Sequence, residues 1–368
     1  MVIDYASQLQ YHYKPAKGWI NDPNGLVYFD GFYHVFYQSC PHFEATGGEP
    51  MHWGHVRTKD FLIFEELPVA LYPDQPYDQD GCWSGTAIVK DDTLYLVYSS
   101  VAKRGGGEEL IQTVSIASSK DGIHFEKYAA NPVIASYPPE GCPDFRDPAI
   151  ACFDGTYYCV MASGNPAHKV ARLLVYKSDD LLQWTFEGVL SEWKNAVCAE
   201  CPSFLREEDK YWLMTSVCTE QDRRFSILYG NFDGHRFHEE LCGSVDCGPD
   251  QYAGQAFTDP LGRQILIAWI PGWGYEQFYE KNIGCLSVPR EITVRDGKIY
   301  AYPIRELQKY LRDSDPALQI TEEGFIVERR RRSPLVVKGH FDRIEILRDE
   351  YVMEVFVNGG EAIYTVIL

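Results

Sequence analysis

Apolar and polar positions alternate in short runs along most of the chain, and each run is closed by a turn of Asp, Gly or Glu. Such runs predict β-strands joined by tight turns. One unit recurs: FDGFYHVFYQ (29–38), DDTLYLVYSS (91–100), FDGTYYCVMAS (153–163), EEDKYWLMTS (207–216) and LGRQILIAWI (261–270). Its markers Tyr33, Tyr95, Tyr157, Tyr211 and Ile265 lie 62, 62, 54 and 54 residues apart. A second pattern, a polar turn ending in an aromatic, keeps step: TKDFLIF (58–64), SKDGIHF (119–125), SDDLLQW (178–184) and FDGHRF (232–237). The first repeat predicts strands near 25–29, 32–37, 53–58 and 62–70. Four strands per unit, five times over, predict an all-β fold, a five-bladed β-propeller, which closes radially and leaves few free edges.

The repeat stops after PREITV (289–294), and PIRELQKYL (303–311) reads as a short helical linker. The ending EYVMEVFVNGGEAIYTVIL (350–368) is strand, Asn358-Gly359-Gly360 turn, strand. We therefore divide the chain into a propeller over residues 1–300 and, over 301–368, a linker with a short, reduced β-sandwich-like appendage. That appendage cannot bury both faces of a sandwich alone. It is expected to pack on the propeller flank or on a second subunit, giving a homo-oligomer. The run Arg329–Arg332 within it reads as a solvated strand edge that discourages pairing.

Composition narrows the function. Of 368 residues, 45% are hydrophobic and 24% charged, a globular balance, and the formal net charge is −19. Nucleic acid and anionic membranes attract basic surfaces, so neither is an expected partner. No stretch of 18 apolar residues predicts a membrane helix, and the first residues show no apolar leader core. Eleven cysteines, an odd number scattered along the chain, fit a reducing, cytoplasmic setting. Cys198 and Cys201 form a C-x-x-C, but with no second pair and no βαβ context they predict no metal or redox centre. Aromatic residues reach 14%, which suits both strands and the stacking of sugar rings.

The carboxylates share the phase of the repeat. Asp22, Asp147 and Glu200 precede their marker tyrosines by 11, 10 and 11 residues, as Ser84 precedes Tyr95 by 11. Asp250 and Tyr252, in GPDQYAG (248–254), are the looser fifth-blade counterpart. Acids in one phase converge at one end of the channel. Three carboxylates without a histidine cluster suit a cation site or glycoside chemistry, and the D-x-D-x-D-G spacing of calcium loops is absent. Trp19, Trp53, Trp83 and Trp269 are placed to frame a sugar, and Asn21, Gln38 and Arg146 to bond its hydroxyls.

At these residues the sequence resembles glycoside hydrolase family 32, the β-fructofuranosidases, which include invertases, sucrose-6-phosphate hydrolases, inulinases and levanases. WINDPNG (19–25), FRDP (145–148) and ECP (200–202) match its three signature motifs; FYQ, MHWGH, DGCWSG, GPDQYA and PRE add to them. The resemblance implies a retaining glycosidase that needs no cofactor or metal and acts on sucrose, sucrose 6-phosphate or short fructans. It implies Asp22 as nucleophile, Glu200 as acid/base and Asp147 as transition-state stabiliser. It implies Asn21, Gln38, Trp53, Trp83, Ser84, Arg146 and Trp269 as the fructose-binding subsite, joined by Asp250 and Tyr252. The family's usual C-terminal sandwich is longer than the appendage here. A fructosyltransferase, an arabinan-type propeller hydrolase and a non-catalytic sugar-binding propeller are the alternatives. Burial beside another carboxylate is expected to raise the pKa of Glu200, and Arg146 to keep Asp147 ionised.

Overall fold

The computed structural model describes residues 9–105, 107–165, 167–275, 278 and 282–368. The reading of the extreme N-terminus as free of a leader falls on residues 1–8, outside that range. Both recurrent turns have a physical basis. Asp30-Gly31, Asp91-Asp92, Asp154-Gly155 and Asp296-Gly297 are consecutive left-handed pairs, φ between 46° and 84°, the two-residue turn whose twist matches the flanking strands. In the second turn, Asp60, Asp121, Asp180 and Asp233 each accept two backbone N–H groups two and three residues on. Thr58, Ser119 and Ser178 take the N–H of Phe61, Gly122 and Leu181 in the same turns.

These turns punctuate five antiparallel sheets. Blade one holds β1 (Trp19–Phe29), β2 (Phe32–Cys40), β3 (His52–Thr58) and β4 (Phe64–Leu71). Blade two holds β5 (Gly81–Lys90), β6 (Thr93–Lys103), β7 (Leu110–Ser119) and β8 (Glu126–Lys127). Blade three holds β9 (Asp144–Phe153), β10 (Thr156–Asn165), β11 (Val170–Ser178) and β12 (Thr185–Lys194). Blade four holds β13 (Cys198–Glu207), β14 (Lys210–Cys218), β15 (Arg223–Phe232) and β16 (Phe237–Gly243). Blade five holds β17 (Tyr252–Thr258), β18 (Gln264–Ile270), the short β19 (Cys285–Leu286), β20 (Arg290–Arg295) and β21 (Lys298–Pro303). The first strand of each blade lies innermost: β1 touches β5, β5 touches β9, β9 touches β13, β13 touches β17, and β17 returns to β1. The ring is closed, as the repeat predicts.

A single helical turn, α1 (Arg305–Gln308), leads to two three-stranded sheets. The outer one is β22 (Leu318–Thr321), β23 (Gly324–Val327) and β24 (Leu335–Lys338); the inner one is β25 (Ile344–Arg348), β26 (Val352–Val357) and β27 (Ala362–Ile367). β26 is buried on both faces. Met353, Val355 and Val357 meet Phe325, Val327 and Val337 of the outer sheet. Phe356, with Leu347 and Ile363, meets Ile292, Ile299 and Ile304 on the propeller side. The appendage is thus a reduced sandwich, and the propeller flank covers the face that a short chain cannot.

Beneath it runs a buried ionic network. The fully buried guanidinium of Arg290 pairs with Asp246 at 2.8 Å and with Glu354 at 2.9 Å, and donates to Thr365. His12 bridges Asp349 and Glu354 at 2.8 and 3.1 Å. The arginine run departs in part from the sequence expectation. Arg329 is buried against Asp250 (3.1 Å) and Tyr275, while Arg332 donates to the carbonyls of Trp273 and Gly274 and covers the Tyr275 ring. Arg329 thus clasps the propeller, because Asp250 offers it a buried carboxylate where a free edge would offer none, while Arg330, Arg331 and Arg332 stay exposed as the sequence predicts.

Candidate active site

Each inner strand carries a bulge at the same level. The registers slip between Ile20 and Pro23, Trp83 and Gly85, Arg146 and Ala149, Glu200 and Ser203, and Tyr252 and Gln255. In three blades the bulge holds a left-handed non-glycine residue: Asp147 (φ 58°), Cys201 (φ 49°) and Ala253 (φ 50°). Such a conformation costs on the order of 1 kcal/mol or more and re-aims the neighbouring side chains. The freed backbone groups bond sideways between blades. Asp147 N–H donates to Ser99 Oγ at 2.7 Å, and Cys201 N–H to Asp147 Oδ2 at 2.9 Å.

The bulges open on a cavity of about 570 Å³ at the N-terminal ends of the inner strands. Asn21, Asp22, Gln38, Trp83, Ser84, Arg146, Asp147 and Glu200 all line it. Ser84 Oγ donates to Asp22 Oδ2 at 2.8 Å, and Cys201 Sγ lies 3.4 Å from the same oxygen. Tyr252 stands behind Glu200 with its hydroxyl on Oε2. Three expected residues are elsewhere. Trp53 is fully buried between blades, its indole donating to the Trp83 carbonyl at 3.0 Å. Trp269 is 2% exposed and packs on Trp19 and Trp273; with Trp19, which donates to Asn21 Oδ1, it backs the cavity wall. Asp250 is turned to Arg329, Tyr275 and the Ile367 N–H, so its part lies in holding the appendage. Trp53 and Trp269 stand on β3 and β18 rather than on an inner strand, and Asp250 precedes β17, so the phase that aligns the three acids does not fix where these side chains face.

The sequence reading passed over other lining residues: Glu49, Asp80, Gln112 and Asp144. Asp144 and Asp80 carried a signal, the first standing three residues before Asp147 in D-F-R-D and the second opening DGCWSG. Cys198 also finds a partner the C-x-x-C spacing hides. It sits directly across the sheet from Cys218, not beside Cys201, and with Glu200 these two form the one group of potential metal donors among the described residues.

The electrostatics invert the expectation. Arg146 pairs with Glu200 at 2.6 Å and with Asp144, but stands 3.9 Å from Asp147. Burial pushes the Glu200 carboxyl up, yet Arg146 and Tyr252 outweigh it and hold it below the ordinary range. Asp147 is raised to about 7, chiefly by burial, with only partial relief from Arg146 and further repulsion from Glu200. Asp22 is likewise raised, by burial first and by Glu200 as well, against hydrogen bonds from Asn21, Ser84 and Cys201. The site thus stores unbalanced negative charge beside a single guanidinium, a state suited to meeting a developing cation.

Comparison with known proteins agrees with this geometry. The family model "Glycosyl hydrolases family 32 N-terminal domain" matches residues 12–303. A raffinose invertase of Escherichia coli is 34% identical over 90% of this chain and 72% of its own length. A levanase of Bacillus subtilis is 32% identical over 81% of the chain and 47% of its own length. Among solved structures, a β-fructofuranosidase mutant of Bombyx mori in complex with sucrose superposes with a TM-score of 0.84 at 27% identity, covering all of this chain and 90% of that one. No helix among the described residues is long and apolar enough to cross a membrane. The chain belongs to glycoside hydrolase family 32 and is a glycosidase.

Proposed function

We propose that this enzyme releases terminal β-linked fructose from neutral saccharides such as sucrose or raffinose, through a covalent fructosyl-enzyme on Asp22. The observation that supports the reading is the meeting of Asp22, Asp147 and Glu200, from three inner strands, around one cavity. Asp22, held by Ser84, adds to the fructosyl carbon as it becomes oxocarbenium-like. Glu200 gives its proton to the leaving oxygen and later takes one from water. Asp147 accepts fructosyl hydroxyls whose bonds tighten in the transition state. In the free enzyme Arg146 keeps Glu200 ionised, so substrate hydroxyls must draw that guanidinium away before Glu200 can serve as an acid.

Among the described residues, the cavity lining holds six carboxylates, Asp22, Glu49, Asp80, Asp144, Asp147 and Glu200, against Arg146 alone. A phosphate dianion meets repulsion there, whereas a neutral sugar finds acceptors. The described cysteines are all unpaired by disulfides, in keeping with work in a reducing cytoplasm. The test is fructose release from sucrose, raffinose, sucrose 6-phosphate and a short fructan. We expect kcat/KM for sucrose to exceed that for its 6-phosphate by about tenfold or more, the discrimination that ~1.4 kcal/mol gives. A preference for the phosphate overturns the specificity, and no fructose from any of them overturns the reading itself.

A further inference from the structure

Glu200 divides its two oxygens between different surroundings. Oε1 faces Arg146 at 2.6 Å, while Oε2 faces Tyr252 and the Cys218 thiol at 3.7 Å. Cys198 lies opposite Cys218 in the register of β13 and β14, and the two sulfurs and a Glu200 oxygen are all within 4.8 Å of one another. A tetrahedral zinc, at ~2.3 Å from sulfur and ~2.1 Å from oxygen, holds its donors roughly 3.5–3.8 Å apart. The existing spacing needs little contraction. Cys198 is half-buried, and the Tyr252 hydroxyl, 2.9 Å from Cys218 Sγ, stands beside the group.

We propose that Cys198, Cys218 and Oε2 of Glu200 form a seat for a thiophilic divalent cation such as zinc, and that its occupancy switches the enzyme off. Two thiolates and one carboxylate select a borderline-soft ion over magnesium or calcium. Each thiol that ligates loses its proton to solvent, so binding releases two protons, and no electron moves. The ion holds Glu200 as carboxylate, which leaves no acid for the departing oxygen. The inhibitory half of this rests on the reading of Glu200 as acid/base; the binding half does not.

Two measurements, in a phosphine reductant that keeps every thiol free, separate the halves. Cadmium added to the metal-free protein is expected to give a thiolate-to-cadmium absorption band, lost in Cys198→Ser and in Cys218→Ser and retained in Cys201→Ser. Zinc is expected to inhibit fructose release reversibly, with chelator restoring the rate. Its inhibition constant should rise at least tenfold in Cys198→Ser and Cys218→Ser, each compared with its own metal-free rate. If Cys218→Ser does not fold, the half-buried Cys198→Ser decides. A band and an inhibition that both survive in Cys198→Ser overturn the seat. A band without inhibition overturns the switch while leaving the seat, and a band in a protein that releases no fructose overturns the fructosidase reading alone.

Discussion

Two of the molecule's buried guanidinium–carboxylate clusters, around Arg290 and around Arg146, are built to opposite ends. Around Arg290 every charge is answered: Asp246 and Glu354 flank it, His12 bridges Glu354 to Asp349, and Asp349 also accepts the backbone N–H groups of Gln10, Tyr11 and His12. There, burial drives carboxyl pKa values up, but the partners win, and both Asp349 and Glu354 are held below their ordinary range. Around Arg146 the acids outnumber the one cation, and both Asp22 and Asp147 are held high. Burial pushes the same way in both clusters and titration goes opposite ways, because what decides is whether each carboxylate finds its own donor. The balanced cluster fastens the sandwich to the propeller; the unbalanced one waits for a substrate.

The largest effect expected is at the nucleophile. Asp22→Asn should lower kcat by about 10⁴-fold or more, with no covalent fructosyl-enzyme trapped on denaturation, while the melting temperature holds or rises. Arg290→Ala should do the reverse. It strands Asp246 and Glu354 in the interior, at a cost of about 3–5 kcal/mol by denaturant titration. Comparable losses of stability from Arg146→Ala and Arg290→Ala would erase the contrast between the clusters.

Asp147→Asn separates stability from activity within one side chain. A carboxyl raised to about 7 in the fold stabilises the protein only at low pH, and that contribution fades as pH climbs from its unfolded value through 7. Removing the charge should therefore raise the melting temperature at pH 8 by roughly 2–5 °C while turnover falls, whatever the leaving group. His12 is the interface counterpart. Burial lowers its pKa, but hydrogen bonds to Asp349 and Glu354 carry it to about 9. Its stabilisation, on the order of 3 kcal/mol, is complete below about pH 6.5 and is lost as pH rises through 9. Melting curves across that window should slope downward in the wild type and flatten in His12→Gln. The smallest effect is kinetic: in Arg146→Gln, Glu200 loses its cation, and the alkaline limb of kcat/KM should move up, with a lower maximum rate.

The propeller was legible because its signals are local. Asp30-Gly31 and Asp60 set their turns with backbone bonds a few residues away, so the same letters recur wherever the turn does. The three carboxylates were legible because the bulges repeat at one level of every inner strand. The pairs Arg146–Glu200 and Arg329–Asp250 were not, since the first joins two blades and the second joins the appendage to the propeller, and only the closed ring and the docked appendage bring them together. Trp53 and Trp269 show the same limit from the other side. An indole at the right level is apolar enough to be core, and packing between blades takes it before a ligand can.

The tie between His12 and its acids also sets a timetable. His12 meets Asp349 and Glu354, which follow it by 337 and 342 residues. At roughly 5–20 residues per second, about 17–70 s of synthesis separate the histidine from the acids that hold it. Of the described segments, one of the first to leave the ribosome is therefore among the last to dock. The blades meet without it, since β1 touches β17 and the Leu286 N–H donates to the Tyr13 carbonyl, but a message cut short before residue 349 yields a propeller in which Gln10, Tyr11 and His12 lack the carboxylate that receives them.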